Sequence, residues 1–415
     1  MVLERILTSL VKKGDLTVTD WNGRVRRYGD GGLPKSHIQF SSAAAARRMA
    51  IDPDLYLGEC YMDGSLKVLE GTIGDFLMLA MQNTGTNNYH PMHRALDRAR
   101  MALRRIHQHN PVGRAKQNVA HHYDLSGAIY DLFLDRDRQY SCAYFETKTS
   151  TLEEAQLAKK RHLAAKLDIK PGMKVLDIGS GWGGLGLYLA EVCGADVTGV
   201  TLSEEQFKLS NERAHQRGIK GHAKFLLKDY RELEGPFDRI VSVGMFEHVG
   251  IGHYPEFFSK VATLLKDDGT AVLHSIGRSN GPGATSAWIK KYIFPGGYIP
   301  ALSEVLPHIE AHGLYVTDIE ILRLHYARTL KEWGHRFATN RAKAAEIYDE
   351  RFCRMWELYL AGSEMAFRFA GMNNFQIQFG KDQNILPLTR DYIQDQENRL
   401  RKIEAKTPFL KTVGK

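Results

Sequence analysis

Long apolar runs are scarce in this 415-residue sequence. The longest of note, residues 76–81 (FLMLAM), has six residues, where a helix needs roughly 20 to cross a bilayer. A chain that spans a membrane by helices is therefore excluded. The opening MVLERILTSLVKKGD places Glu4 and Arg5 where a secretory leader would be uninterruptedly apolar, so no export is expected. Cysteine is sparse as well: Cys60, Cys142, Cys193 and Cys353 lie far apart, with neither the density of a disulfide framework nor the spacing of a metal site, which points to a reducing cytoplasm. Compositional bias is also missing. With 43% hydrophobic and 25% charged residues, the chain reads as two or three folded, soluble domains, neither disordered nor fibrous.

What is there begins with a concentrated charge. Lys and Arg number 56 against 48 Asp and Glu, and the excess gathers between Thr84 and Ala120. There Arg94, Arg98, Arg100, Arg104, Arg105, Arg114 and Lys116 face Asp97 alone. Such a segment suits nucleic acid, an anionic lipid surface or an acidic protein, or else is a solvated helix linking two domains; charge alone does not choose.

Around it the chain divides. Residues 16–21 (LTVTDW) alternate, Asn22-Gly23 supplies a hairpin turn, and residues 24–28 and 37–40 read as further strands. With helical stretches near 43–51 and 73–82, residues 1–83 read as a small α+β domain, 84–118 as a basic helical linker and 119–415 as a larger domain. In the latter, Thr151 and Glu154 form a capping box that opens a helix to about Leu167. Strands follow at 174–178, 196–200, 223–227, 239–243 and 270–276, alternating with helices, and two more at 314–322 and 375–379 flank a long helical region that reads as an insertion or lid. The prediction is an α/β fold with a seven-stranded, mostly parallel Rossmann-like sheet, helices on both faces, and the last two strands at one edge.

Residues 175–184 (VLDIGSGWGG) turn the first of these strands into a helix. Gly179, Gly181 and Gly183 let the backbone approach a ligand at the carboxyl edge of the sheet. A dinucleotide site would also need an acid at the end of the second strand, where Gly199-Val200-Thr201 stand instead. Asp177, before the glycines, suits the ammonium group of S-adenosylmethionine, and Asp229, after the third strand, suits an adenine amino group. Together they point to a class I methyltransferase.

Four further segments are predicted to converge on this edge: Tyr140-Ser141-Cys142-Ala-Tyr-Phe145, Met245-Phe246-Glu247-His248, His274-Ser-Ile276-Gly277 and Leu324-His-Tyr326-Ala. With HHYDLSGAIYDLFL from His121, KYIFPGG at 291–297 and GECYMDG at 58–64, the sequence resembles the cyclopropane-fatty-acyl-phospholipid synthase family and, more distantly, the mycolic acid cyclopropane synthases. The resemblance implies methylene transfer from S-adenosylmethionine to a cis double bond in a membrane phospholipid, with a carbocation deprotonated by a bound bicarbonate ion. By the same resemblance Cys142, Glu247, His274, Tyr326 and the backbone at Ile276 hold that anion. Tyr140, Ser141, Gly179, Gly181, Thr201, Leu202, Gln206, Asp229, Tyr230 and Gly244 line the cofactor site beside Asp177 and Gly183, while Phe145, Phe246, Tyr292 and Phe294 face the acyl chain. The resemblance also implies a lipid-binding, homodimer-forming N-terminal domain and peripheral attachment to the inner face of the plasma membrane.

Adjacent His121 and His122 have no carboxylate and cysteine set beside them, so no metal is expected. A nucleic-acid enzyme would need a base-flipping pocket, and none is read here. Two rivals stay open: methyl transfer without ring closure, and a noncatalytic lipid-binding protein. One departure from the family pattern is Ser363, where many members carry Cys; alkene methylation needs no covalent enzyme intermediate, so Ser363 is expected to be tolerated. Thr201 in place of a ribose-binding acid is usual for the family and leaves the ribose contacts unassigned.

Overall fold

A computed structural model describes residues 2–84, 91–102 and 127–407. The expected boundary near residue 118, the adjacent His121 and His122, and Arg104, Arg105, Arg114 and Lys116 of the basic segment lie outside them.

The chain packs into two units. The first gathers residues 1–107, 283–295 and 327–372. Its sheet has strands β1 (Asp15–Thr19), β2 (Val25–Gly29), β3 (Lys35–Phe40) and β4 (Leu66–Glu70), in the order β2-β1-β3-β4. The β1–β2 turn forms because the Asp20 carboxylate accepts the N–H groups of Asn22 and Arg24 at 2.8 and 3.0 Å, an Asx-type turn. Helices Val2–Leu10 and Pro53–Met62, together with β4, go beyond the elements expected there. The long helix Glu350–Phe369 and the short helix Ala287–Tyr292 also belong to this unit, packed on helices Pro53–Met62 and Ile73–Thr84.

The second unit holds the seven-stranded sheet. Its strands are β5 (Lys174–Ile178), β6 (Asp196–Thr201), β7 (Ala223–Leu227), β8 (Phe237–Val243), β9 (Leu265–Arg278), β10 (Tyr315–Ile321) and β11 (Met372–Gly380). They run in the order β10-β11-β9-β8-β5-β6-β7. β5 to β9 are parallel, and β10 and β11 form the expected edge as an antiparallel pair.

Strand alternation sorts the side chains onto two faces. On one, Leu176, Ile240, Leu273, Phe375, Ile377 and Phe379 pack against the helix Tyr254–Leu264. On the other, Val175, Val197, Val241 and Val272 pack against the helix Gly184–Cys193 and part of the helix Leu152–Lys166. This second face also carries, by the same alternation, Asp177, His274, Asn374 and Gln376. Above them the helix Leu152–Lys166 buries Gln156, Lys159, His162 and Lys166. A polar layer is thus sealed between the sheet and one helix.

Candidate active site

A cleft opens at the carboxyl ends of β5 to β8. Tyr140, Ser141, Asp177, Gly179, Gly181, Thr201, Leu202, Gln206, Asp229, Tyr230 and Gly244 all line it. Gly183 does not: a Cβ there would stand 2.8 Å from Ser210 Cβ and 3.0 Å from Phe225 Cζ. Its place is the tight contact that lets the helix Gly184–Cys193 start against the sheet. A Cβ on Gly181 would meet nothing within 4 Å, so this residue leaves room for a ligand to touch backbone.

At the end of β6, Thr201 Oγ1 donates to Gln206 Oε1 at 2.7 Å and accepts the Ser203 N–H at 3.2 Å. Asp229 is already paired, bound by Arg231 Nε and a terminal guanidinium nitrogen at 2.9 and 2.8 Å. Asp177 is the opposite case. It is buried and its Oδ2 has no hydrogen-bond partner. Burial pushes its pKa up to about 7, against the pull of Lys159. An orphaned buried carboxylate beside a glycine loop with free room fits a ligand carrying an ammonium group.

Lys159 escapes a reading of the sequence. Its Nζ donates to Gln139 Oε1 at 2.8 Å and Ser141 Oγ at 2.7 Å, while Gln156 Nε2 donates to the carbonyls of Ser141 and Gln139 at 3.0 and 3.2 Å. These two side chains strap residues 139–141 to the helix Leu152–Lys166. Burial pushes the Lys159 pKa down, opposed by Asp135. The only local signal was a lysine on a helix face otherwise facing the core.

Behind the cleft wall, Glu247 sits on a one-turn helix after β8. Its Oε1 accepts the Ile276 N–H at 2.7 Å and its Oε2 has no partner. Burial raises its pKa to about 7, opposed by that N–H. His274, on β9 beside Val243 of β8, is fully enclosed, and burial lowers its pKa to about 3. Its Nδ1 lies 3.1 Å from the Gln376 amide and its Nε2 3.4 Å from that of Asn374. A neutral imidazole has one N–H, so one of these amides presents its oxygen and the other its nitrogen. Asn374 and Gln376 were missed; the alternation NNFQIQF on β11 held the signal.

Cys142 is fully buried, its Sγ 3.4 Å from the Ala143 carbonyl, and Tyr326 begins the helix His325–Thr339. None of Cys142, Glu247, His274 and Tyr326 lines the cleft itself, although Ser141 and His248, the chain neighbours of two of them, do. Glu247 and Ile276 are brought into direct contact, and the Gly244 N–H bonds the His274 carbonyl at 2.9 Å. The Ile276 N–H serves Glu247, and its carbonyl accepts from Ser275 Oγ at 3.0 Å.

The aromatic candidates part company. Phe145 is buried near the His325 ring. Phe246, expected to face an acyl chain, is fully buried with its ring 4.4, 5.1 and 5.7 Å from Tyr254, Phe257 and Phe258; core packing claims it. Tyr292 and Phe294 belong to the first unit, where Tyr292 donates to Glu59 at 2.9 Å and Phe294 meets Tyr359 edge-on. Ser363 lies half-buried in that unit's helix Glu350–Phe369. Among the described residues no cluster fit for a metal ion and no helix long and apolar enough to cross a membrane occurs.

Known proteins with the same features bear on this geometry. Residues 111–377 match the family model for mycolic acid cyclopropane synthetase, and residues 2–90 a domain of unknown function (DUF7884). The chain is 38% identical over 350 residues to the cyclopropane-fatty-acyl-phospholipid synthase of Escherichia coli (strain K12), across 84% of this chain and 89% of that protein. It is 37% identical over 352 residues to a probable fatty acid methyltransferase of Pseudomonas putida, across 81% and 85%. Among solved structures, mycolic acid cyclopropane synthase CmaA1 complexed with SAH and CTAB aligns with a TM-score of 0.61 at 35% identity, over 64% of this chain and 97% of that one. Coclaurine N-methyltransferase, at 20% identity and a TM-score of 0.62 over 78% and 99%, shares the fold.

Proposed function

The chain belongs to the mycolic acid cyclopropane synthetase family of S-adenosylmethionine-dependent methyltransferases, and from that premise we propose that it cyclopropanates the cis double bond of unsaturated acyl chains in membrane phospholipids, with bicarbonate as proton acceptor. The observation that carries this reading is the pair of buried carboxyl groups with opposite tasks. Asp177 faces the cleft without a partner, and Glu247 stands behind it bonded to the end of β9.

When bound, S-adenosylmethionine supplies an electrophilic methyl group on a sulfonium, strong enough for a neutral alkene. Asp177 would take the ammonium end of that ligand, and Lys159 with Gln156 would hold residues 139–141 along its side. Alkylation leaves a carbocation in the acyl chain, and ring closure requires loss of a proton from the new methyl group. That proton is very acidic, so a weak base in a site closed to water suffices.

Glu247 bears on the base. With a pKa raised to about 7, it can carry a proton on Oε2 and donate it to a small anion, removing the repulsion that two negative charges would feel. His274, kept neutral by burial and with its ring fixed by Gln376 and Asn374, adds no charge beside that anion. Peripheral docking of the basic segment on an anionic leaflet and a homodimeric state complete the proposal; each basic residue near such a surface contributes about 1 kcal/mol.

The test is incubation with vesicles of cis-unsaturated phospholipid and methyl-labelled cofactor. Lipid gaining one CH2 and showing high-field cyclopropane protons is the expected product, and a methyl-branched or N-methylated lipid overturns the reading. Removing bicarbonate should slow the reaction; an unchanged rate rejects that anion. Glu247→Gln should still bind cofactor by calorimetry while turnover falls by about 100-fold or more. Sedimented vesicles should retain the protein at low salt and release it as salt is added, and indifference to salt rejects the docking.

A further inference from the structure

Tyr144 lies between two imidazoles. Its ring centroid is 4.3 Å from that of His162 with 7° between the planes, and 5.0 Å from that of His325 with 2°. Three flat rings therefore form one column. At one end His162 is buried with Nδ1 2.7 Å from Glu397 Oε1 and Nε2 2.8 Å from Glu320 Oε2. Carboxylates on both ring nitrogens are satisfied only by an imidazolium. Burial alone would push the His162 pKa down, but its bonds to Glu320 and Glu397 outweigh this and leave it raised. Lys166 Nζ lies 2.6 Å from Glu320 and Arg401 3.5 Å from Glu397, so each carboxylate has a second cationic partner. The face of Tyr144 thus rests on a fixed cation, an attractive arrangement for an aromatic ring.

At the other end His325 Nδ1 accepts the Phe145 N–H at 2.9 Å, which assigns the ring proton to Nε2. The Tyr144 N–H is spent on the Ala155 carbonyl at 3.0 Å. Two segments are tied together here: the strap that carries Cys142, two residues before Tyr144, and the helix start that carries Tyr326, directly after His325. A leucine would fill this space without a buried charge, and a buried imidazolium with two carboxylates is costly to desolvate. The column uses charge where packing alone would serve, and gains direction from it.

We infer that Tyr144, clamped between His162 and His325, is a positioning residue that holds the Cys142 segment in register with Tyr326, and so determines which proton the substrate cation loses. This rests on the reaction proposed above. Loss of a proton from the new methyl group lets that C–H pair close the third ring bond. Loss of a proton from the neighbouring chain carbon gives instead a methyl-branched olefin; in both cases the proton passes to the base. Through Glu397 the helix Asp391–Glu404 becomes part of this apparatus.

The test compares full-length Tyr144→Phe and Tyr144→Leu with wild type on unsaturated phospholipid vesicles. Turnover, the ring-closed share of methylated lipid and cofactor affinity by calorimetry are the readouts. Tyr144→Phe should keep both turnover and ring closure. Tyr144→Leu should lose turnover by about 100-fold and divert product to the methyl-branched olefin, with cofactor affinity unchanged. Should Tyr144→Leu fail to fold, His162→Gln, which removes the cation and leaves the tyrosine, is expected to shift product the same way. Wild-type turnover and product from the variant that folds would overturn the inference. So would a Phe variant as impaired as Leu, because the hydroxyl would then be the working group. Wild-type protein that makes only methyl-branched lipid would overturn the ring-closing reading alone, and turnover of the variants would still judge the column.

Discussion

Asp177 carries the most direct consequence at the scale of one residue. Burial holds its carboxyl near 7, where its ordinary value is 3.8. Below that pH the free protein keeps a proton on it, whereas an ammonium ligand favours the ionised form. Cofactor affinity should therefore climb as pH rises to about 7 and level off above, with proton uptake by buffer during binding on the acid side. Calorimetry in buffers of different ionisation enthalpy measures both. Asp177→Asn should bind weakly with no such slope. The sign for stability is the reverse: a native pKa above the unfolded one means the folded state holds more protons between about 4 and 7, so stability without cofactor falls as pH rises through that window. Melting temperatures at pH 5 and pH 8 should differ less in Asp177→Asn than in wild type; equal differences would remove Asp177 from the argument. Asp177 was legible because a carboxylate directly before a glycine loop has few structural uses. Lys159, Asn374 and Gln376 were not, because what makes them functional is burial beneath a helix, and local sequence does not state what covers a residue.

Among elements, the glycine loop separates two roles that its spacing blends. Gly181 and Gly183 both have positive φ, 54° and 82°, which alanine adopts at about 1 kcal/mol. Only Gly183 also faces a wall, so Gly183→Ala should cost about 2 kcal/mol or more in stability while leaving the cleft open. Gly181→Ala points a methyl group into free space beside the loop, so it should weaken cofactor binding by about tenfold, near 1.4 kcal/mol, with a small change in melting temperature. Denaturant titration and calorimetry on the same two variants distinguish them, and similar effects of both would merge the roles. Strands β5 to β9 were readable because apolar runs between glycine and proline turns state burial on both faces. The helix Pro53–Met62 was not, since its buried Gly58, Cys60 and Met62 recur at a spacing of two and hide the helical period. The helix Leu152–Lys166 was recognised by its capping box, yet its buried charges were not: Arg161 finds Glu404 243 residues later and His162 finds Glu397 235 residues later. Pairing at that range leaves no local trace.

At the scale of the whole molecule, the chain order and the packing order differ. Residues 327–372 fall within the stretch matched by the catalytic family model, yet they pack with residues 1–107. The grip is specific. The indole of Trp288 lies where a Cβ on Gly58 would come within 2.2 Å of its Nε1. The Asp54 carboxylate accepts the Ala287 N–H at 2.7 Å, and Glu59 takes Lys291 at 2.6 Å and Tyr292 at 2.9 Å. Tyr61 donates to Glu357 at 3.2 Å on the helix Glu350–Phe369. A piece comprising residues 108–415 would thus leave the helix Glu350–Phe369 with an apolar face uncovered, and residues 1–107 would lack the helix that completes their core. Expressed as two separate chains, the pieces should co-purify through a tag on either one, and the 108–415 piece alone should melt lower or aggregate. Gly58→Leu blocks the indole seat, and with it the Trp288 N–H bond to Met62 Sδ at 3.3 Å, without replacing any of the carboxylates; overpacking of this kind costs about 1–3 kcal/mol. It should abolish co-purification of the pieces and lower the melting temperature of the intact protein. If the 108–415 piece alone is monodisperse with the melting temperature of the full chain, residues 1–107 are an appendage, and their hold on residues 283–295 and 327–372 contributes nothing to the stability of the enzyme.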